Sequence, residues 1–188
     1  GPAAREVKIN EQADGADPEV AALARLVKMA LERHPTFHAL VRPVRWSNLM
    51  FSRYVSEQRY GVHTDDAHMY DEHGWPLRTD VSFTLFLSEP DAYEGGALRI
   101  LSDTYERSFR PPAGAVVLYP TGLLHEVTPV TSGVRLACVG WVQSLIRRAD
   151  QREVLFDLDR IRSELPEGNT RLHLTKAIGT LLRMWGES

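Results

Sequence analysis

Short apolar runs separated by turn signals fill residues 44–143, and this pattern most constrains the fold. Clear examples are 81–87, 115–119 and 134–142. The segments between the runs, at 89–91, 94–96, 111–114, 121–122 and 131–133, are rich in Gly, Pro, Ser and Asp. This spacing is typical of an antiparallel sandwich or barrel. No long helical pattern interrupts the runs, which argues against a parallel sheet. We therefore predict a mainly β fold with a jelly-roll core, also called a double-stranded β-helix.

Helical periodicity flanks the strand region on both sides. Residues 18–33 repeat apolar side chains at helical spacing, after Asp17 and a Pro18 suited to a first turn. Residues 148–185 carry two further apolar stripes, separated by Pro166 and Gly168. We predict two helices there, packed on the barrel or across a dimer. The expected organisation is a β domain over 1–146, which includes the N-terminal helix, and a C-terminal helical extension over 147–188 on the same domain.

Composition narrows the class of protein. A length of 188 residues with 43% hydrophobic and 25% charged residues fits one soluble domain. The net charge of -3 and the lack of a basic run give no electrostatic case for binding nucleic acid or a membrane. No segment has the pattern of a membrane span or a signal peptide. The single cysteine, Cys138, indicates a reducing compartment, so we predict a cytoplasmic protein. The start at Gly1 is expected of a trimmed or mature fragment.

The most informative motif is His63-Thr64-Asp65. Residues two apart on a strand point to the same face, so His63 and Asp65 should point together. Two histidines and one carboxylate are typical ligands of non-haem Fe(II) oxygenases. His125 is the candidate third ligand, because it enters a strand-like segment after the turn at 119–122, and distant segments lie side by side in a jelly roll. The alternative is a surface pair, since a lone His-X-Asp often occurs by chance.

Arg135 is the second informative residue, because it stands near the start of an otherwise apolar strand. A buried arginine without a partner is costly, so it should face an internal carboxylate or a bound anion. A guanidinium binds a carboxylate through two hydrogen bonds. Arg135 is therefore either half of an internal ion pair or a binding residue for a carboxylate ligand beside the metal.

These motifs, taken in order, resemble the Fe(II)/2-oxoglutarate dioxygenases of the prolyl 4-hydroxylase superfamily, and more narrowly the bacterial PKHD-type hydroxylases. The matching strings are FSRY (51–54), YGVHTDDA (60–67), RTD (78–80), TLFLSEP (84–90), YEGGAL (93–98), PAG (112–114), LYP (118–120), LHEVTPV (124–130), GVR (133–135) and WVQS (141–144). The likeness covers nearly the whole chain. It begins partway through the family's N-terminal region, so an edge strand or a substrate-covering element is expected to be missing.

The resemblance implies a role for each matching residue. His63, Asp65 and His125 match the iron ligands, and Arg135 matches the arginine that binds 2-oxoglutarate. Tyr54 matches a tyrosine that reaches the co-substrate carboxylate in related hydroxylases; the alternative is an aromatic residue that fills the barrel. Fe(II), 2-oxoglutarate and O2 are the implied cofactors, with ascorbate as a candidate reductant. The implied reaction is hydroxylation of a C–H bond, with release of succinate and CO2.

The resemblance leaves the substrate open among an amino acid, a peptide, a protein side chain and a siderophore-like molecule. The stretch 68–75 has no role in the family pattern, and loops at a barrel mouth often carry substrate contacts. The predicted partner is this small molecule or peptide, and the helical segments are a candidate surface for a homo-oligomer. Two other classes stay open. These are a cupin-like metal enzyme that uses no keto acid, and a non-catalytic binding or sensor module.

Overall fold

The computed structural model of the chain describes residues 8–187. Its strands are β1 Lys8–Ile9, β2 Glu11–Gln12, β3 Pro43–Trp46, β4 Met50–Tyr54, β5 Arg59–His63, β6 His68–Tyr70, β7 Pro76–Arg78, β8 Val81–Phe86, β9 Tyr93–Gly95, β10 Leu98–Leu101, β11 Glu106–Phe109, β12 Val116–Pro120, β13 Leu124–Val127, β14 Val130–Gly133 and β15 Arg135–Ser144. Its helices are α1 Pro18–Arg33, α2 Pro35–Val41, α3 Ala149–Glu164 and α4 Asn169–Trp185.

Two sheets form the β core. One has five strands in the order β1-β5-β13-β10-β11, and the other has six, β12-β8-β15-β4-β2 with β3 also paired to β15. Two further two-stranded pairs, β14-β9 and β6-β7, complete the described strands. All of these pairings are antiparallel. Because strands far apart in sequence are neighbours in both sheets, the predicted jelly-roll fold is confirmed.

The N-terminal helix begins and ends where its sequence predicts. Asp17 caps α1 by accepting a hydrogen bond from the backbone N–H of Glu19 at 2.8 Å, and Pro18 occupies the first turn. Helices α1 and α2 cover the outer face of the six-stranded sheet. There Phe37 stacks on Trp46 with ring centroids 5.5 Å apart, and Trp46 meets Phe83 edge-on at 5.9 Å. This apolar layer stabilises the sheet whose other face lines the barrel.

The two predicted C-terminal helices are present as α3 and α4. They enclose an apolar cluster of their own, in which Ile146, Leu155 and Ile178 are at most 2% exposed. An ion pair between Arg42 and Asp159 joins α3 to the end of α2. The domain division at residues 146 and 147 and an oligomer formed through these helices stay predictions.

The sequence did not predict the edge strands β1 and β2, the β6-β7 hairpin or the short helix α2. Residues 68–78, expected in part as a loop, form the β6-β7 hairpin. Its turn is held by Asp71 Oδ1, which accepts hydrogen bonds from the backbone N–H groups of His73 and Trp75, both at 2.9 Å. The short helix α2 follows α1 directly and is capped by the His34 side chain, an uncommon capping residue. Between residues 8 and 187, no helix is long and apolar enough to cross a membrane.

Candidate metal and co-substrate site

His63 and His125 lie on the neighbouring strands β5 and β13, where they are direct partners in the antiparallel register. Their ring centroids are 4.2 Å apart. Nδ1 of His63 lies 2.8 Å from the carbonyl oxygen of Gly61, and Nδ1 of His125 lies 3.0 Å from that of Leu123. A carbonyl oxygen only accepts, so these contacts assign the proton of each ring to Nδ1. Each Nε2 therefore keeps its lone pair for a metal.

Asp65 completes the cluster from the loop after β5. The prediction that Asp65 continues the strand is wrong, since β5 ends at His63. Its carboxylate still faces both rings, with Oδ1 3.7 Å from His63 Nε2 and Oδ2 3.5 Å from His125 Nε2. One ligand atom from each of the three residues lies within 4.8 Å of the others. This donor set, two imidazoles and one carboxylate on one side of a site, suits a divalent iron ion.

Two hydroxyl groups on neighbouring segments hold the Asp65 carboxylate in this position. Ser82 Oγ donates a hydrogen bond to Asp65 Oδ2 at 2.9 Å, and Thr121 Oγ1 lies 3.0 Å from Ser82 Oγ. Ser82 and Thr121 are 1% and 3% exposed. Hydrogen bonds of this kind orient a ligand before a metal arrives. The sequence reading missed both residues, and the only signal was the inward position of Ser82 in an alternating strand.

The surroundings keep the His63 imidazole neutral. Burial, followed by the nearby charge of His125, lowers the pKa of His63 to about 4. The ring of Tyr60 stacks on that of His63 with centroids 3.5 Å apart and planes 17° apart. A neutral imidazole is the form that binds a metal, so the site does not have to release a proton from His63 near neutral pH.

Arg135 opens β15 and is 1% exposed. Its guanidinium lies 5.1 Å from the ring centroid of Tyr54, its register partner on β4, and 5.2 Å from that of Phe86. Within residues 8–187, Nε and Nη2 of Arg135 have no hydrogen-bond partner. Burial lowers the pKa of Arg135, but an arginine keeps its charge in proteins. The structure therefore shows a buried cation that no carboxylate of the described chain neutralises.

The absence of a side chain at Gly96 leaves room for the Arg135 side chain to reach the cavity. Gly96 has φ +59, and a Cβ there would lie 3.0 Å from Arg135 Cδ and 2.9 Å from Val130 Cγ2. A larger residue would be strained in this left-handed conformation and would press on the arginine stem. The Tyr-Glu-Gly-Gly turn thus shapes the wall of the site from a strand pair that contributes no metal-binding group.

One cavity between the two sheets joins all five residues singled out from the sequence. It is lined by His63, Asp65 and His125 together with Arg135 and Tyr54, and the empty space between its walls is about 510 Å³ including the mouth. Tyr54 is 3% exposed. Its ring contacts the Arg135 guanidinium, and the residue also lines the cavity. The walls also include Lys8, Tyr60 and Tyr119, which the sequence reading did not single out.

Comparisons with known proteins agree with this geometry. The family model of the 2OG-Fe(II) oxygenase superfamily matches residues 49–143. A PKHD-type hydroxylase of Synechococcus sp. (strain JA-2-3B'a(2-13)) is 44% identical over 98% of this chain and 84% of its own length. Another, from Parvibaculum lavamentivorans, is 45% identical over 100% of this chain and 84% of its own length.

Solved structures show the same fold at low sequence identity. A viral collagen prolyl hydroxylase from Paramecium Bursaria Chlorella virus-1 has a TM-score of 0.51 at 19% identity, covering 76% of this chain and 86% of its own. A prolyl hydroxylase from Trichoplax adhaerens has a TM-score of 0.52 at 16% identity, covering 79% of this chain and 67% of its own. With the family model and the close PKHD-type relatives, these matches place the protein: it belongs to the 2OG-Fe(II) oxygenase superfamily and is a 2-oxoglutarate-dependent dioxygenase of the PKHD-type hydroxylase family.

Proposed function

We propose that this dioxygenase hydroxylates a C–H bond of an amino-acid, peptide or siderophore-like substrate and releases succinate and CO2. In this proposal His63, Asp65 and His125 hold Fe(II), and Arg135 binds the carboxylate of 2-oxoglutarate that is remote from the metal. Tyr54 supports the co-substrate beside Arg135. The observation that carries the proposal is that metal-type ligands and an unpaired buried guanidinium line one cavity.

The residues present fit both groups. Nε2 of His63 is buried and has no hydrogen-bond partner in the described chain, as expected of an atom kept for a metal. The free Nε and Nη2 atoms of Arg135 match the two oxygens of a carboxylate. Fe(II) and 2-oxoglutarate, once bound, supply the O2 activation that turns C–H into C–OH, with succinate and CO2 as co-products.

The protein's own part is binding, orientation and exclusion of water. The Nδ1 contacts of His63 and His125 fix both rings, and Ser82 fixes the Asp65 carboxylate. The face of the Tyr54 ring carries the guanidinium of Arg135, so the remote carboxylate meets a cation that is already desolvated. Pre-organised groups of this kind lose little conformational freedom when the ligands bind.

The proposal also covers the class of substrate and the cellular compartment of the enzyme. The Trichoplax prolyl hydroxylase was solved in complex with a peptide fragment, which keeps a peptide among the candidate substrates. We also propose a cytoplasmic location. The support for this location is the single cysteine of the chain, Cys138, which indicates a reducing compartment. Cys138 is 0% exposed, and burial raises the pKa of its thiol to about 12, so the thiol is unreactive.

The test is turnover with mass detection. Protein loaded with Fe(II) and 2-oxoglutarate without oxygen, with ascorbate as reductant, is mixed with pools of amino acids, peptides and siderophore-like molecules and then exposed to O2. We expect succinate to form and one pool member to gain the mass of one oxygen atom. Metal-dependent conversion of a substrate without succinate would reject the 2-oxoglutarate mechanism.

A further inference from the structure

Among the described residues that line the cavity, Lys8 is the charged residue that the proposed chemistry does not use. It lies on the edge strand β1, where it pairs in register with Tyr60 of β5. Its Nζ lies 4.9 Å from the centroid of the Tyr60 ring, and that ring in turn stacks on His63. Lys8 is thus two contacts away from a metal-type ligand, and it is only partly exposed.

The charge balance of the cavity follows from its lining residues and the two proposed ligands. Asp65 is the only acidic residue among the described lining residues, and it is also the acid whose charge acts on the Lys8 ammonium. A divalent ion and Arg135 contribute three positive charges, and Asp65 and the 2-oxoglutarate dianion contribute three negative charges. Among the described residues, the inner site is therefore balanced without Lys8, whose ammonium adds one further positive charge to the cavity.

We propose that Lys8 binds a carboxylate of the primary substrate, so that this enzyme hydroxylates an acid that carries its negative charge next to the oxidised carbon. The inference rests on the proposed function, because the charge balance assumes a metal ion and 2-oxoglutarate in the site. The Lys8 Nζ lies over the ring face of Tyr60, and an ammonium has three N–H donors that an incoming carboxylate can accept from. A partly desolvated ammonium discriminates between an acid and its neutral amide, because only the acid gains a charge-assisted hydrogen bond.

The probes are two matched pairs, hexanoate with hexanamide and trialanine with its C-terminal amide. The protein is loaded with Mn(II) and saturating 2-oxoglutarate, and the paramagnetic relaxation of the probe protons is measured by NMR. Saturating 2-oxoglutarate prevents the acids from reaching Arg135. We expect an acid to relax faster than its amide, with hexanoate marking a small-molecule substrate and trialanine marking a peptide that binds through its C terminus.

Three variants separate the charge from the packing. Lys8→Met keeps an unbranched side chain beside Tyr60 but removes the charge, so it should bind the acid about tenfold more weakly. Lys8→Arg should retain the preference for the acid. Lys176→Met removes an exposed lysine of α4 that does not line the cavity, and it should match the wild type.

The outcomes distinguish the two proposals. If the wild type binds Mn(II) and 2-oxoglutarate but relaxes acid and amide equally, or relaxes neither, the inference about Lys8 is overturned and the proposed function stands. The same holds if Lys8→Met keeps the full preference. If the wild type binds no Mn(II), the proposed function fails, and the inference that rests on it fails as well.

Discussion

Replacing Arg135 by methionine is the sharpest test of the site. Arg135→Met removes the guanidinium and its charge while keeping an unbranched apolar side chain in the barrel wall. If Arg135 binds the remote carboxylate of 2-oxoglutarate, the variant loses a hydrogen-bonded charge partner worth about 1.5–3 kcal/mol. The affinity for 2-oxoglutarate should then fall about ten- to hundredfold, whereas the affinity for the metal should stay unchanged.

The structure also predicts an unusual effect on stability. Nε and Nη2 of Arg135 have no partner within residues 8–187, so the substitution strands no internal carboxylate. It loses the cation–π contacts with Tyr54 and Phe86, each worth about 1–2 kcal/mol. It also removes a buried unpaired charge, which costs several kcal/mol in the folded state. We therefore expect the metal-free variant to have a free energy of unfolding equal to or above that of the wild type.

Arg152 provides the matched control. It is also a buried arginine, 6% exposed, but its Nη1 donates to the carbonyl oxygens of Ile146 and Arg147 at 2.8 and 2.7 Å. Arg152→Met should therefore lower the free energy of unfolding by about 1–3 kcal/mol, because buried acceptors lose their donor, with no change in 2-oxoglutarate affinity.

The assay is calorimetric titration of 2-oxoglutarate into each Mn(II)-loaded protein without oxygen, together with urea unfolding of each metal-free protein. A loss of about 3–5 kcal/mol in Arg135→Met with unchanged 2-oxoglutarate affinity would show that Arg135 serves an internal ion pair. That result would refute the co-substrate role even if the metal triad proved correct.

Three further predictions concern the remaining site residues. Asp65→Ala removes the only anionic ligand of the triad, so it should abolish iron-dependent succinate formation. Mn(II) binding, measured by EPR, should weaken by more than the loss of about ten- to hundredfold that is typical when a residue supporting a ligand is changed. Full activity of this variant would reject the triad. Tyr54→Phe keeps the ring under the guanidinium and removes one donor, so 2-oxoglutarate affinity should fall only about two- to tenfold, and an unchanged affinity would make Tyr54 a packing residue. The folded metal-free protein holds the pKa of His63 at about 4, below its ordinary value of 6.5. The unfolded chain therefore binds more protons between these pH values, and the free energy of unfolding should fall as the pH drops from 6.5 towards 4. His63→Gln should remove this part of the pH dependence in urea unfolding, and an unaltered profile would contradict the neutral state of the ring.

The part of the fold that sequence predicts is the part set by local patterns. The start of α1 follows from Asp17 and Pro18, since a cap and a proline act on the nearest turn. The β6-β7 hairpin has an equally local signal in Asp71, whose side chain holds the turn, but the flanking strands have three residues each and little apolar alternation. Strands this short derive their stability from contacts elsewhere, for example the buried Leu77, which no local pattern reveals.

Five residues proposed from the sequence line one cavity in the structure, but their geometry could not be predicted. The spacing of His63 and Asp65 suggested a shared strand face, yet the carboxylate arrives from a loop and is oriented by Ser82. The pairing of His63 with His125 depends on the register between β5 and β13, which are distant in sequence, so it follows from the global topology. A buried role for Arg135 was predictable because a charge inside an apolar strand needs a partner. The absence of an acid beside it in the described chain could be seen only in the structure.

The unsatisfied polar groups of the described chain are concentrated at this cavity. Eight buried side-chain nitrogen and oxygen atoms between residues 8 and 187 lack a hydrogen-bond partner, and five of them belong to the lining residues Ser52, His63, Arg135 and Trp141. Folded proteins leave few such groups, because each one costs free energy. Their clustering matches a cavity that offers polar groups to a bound ligand, while the apolar layer under α1 and α2 stabilises the barrel. A ligand that pairs with these groups binds only the folded protein, so it should raise the free energy of unfolding by mass action.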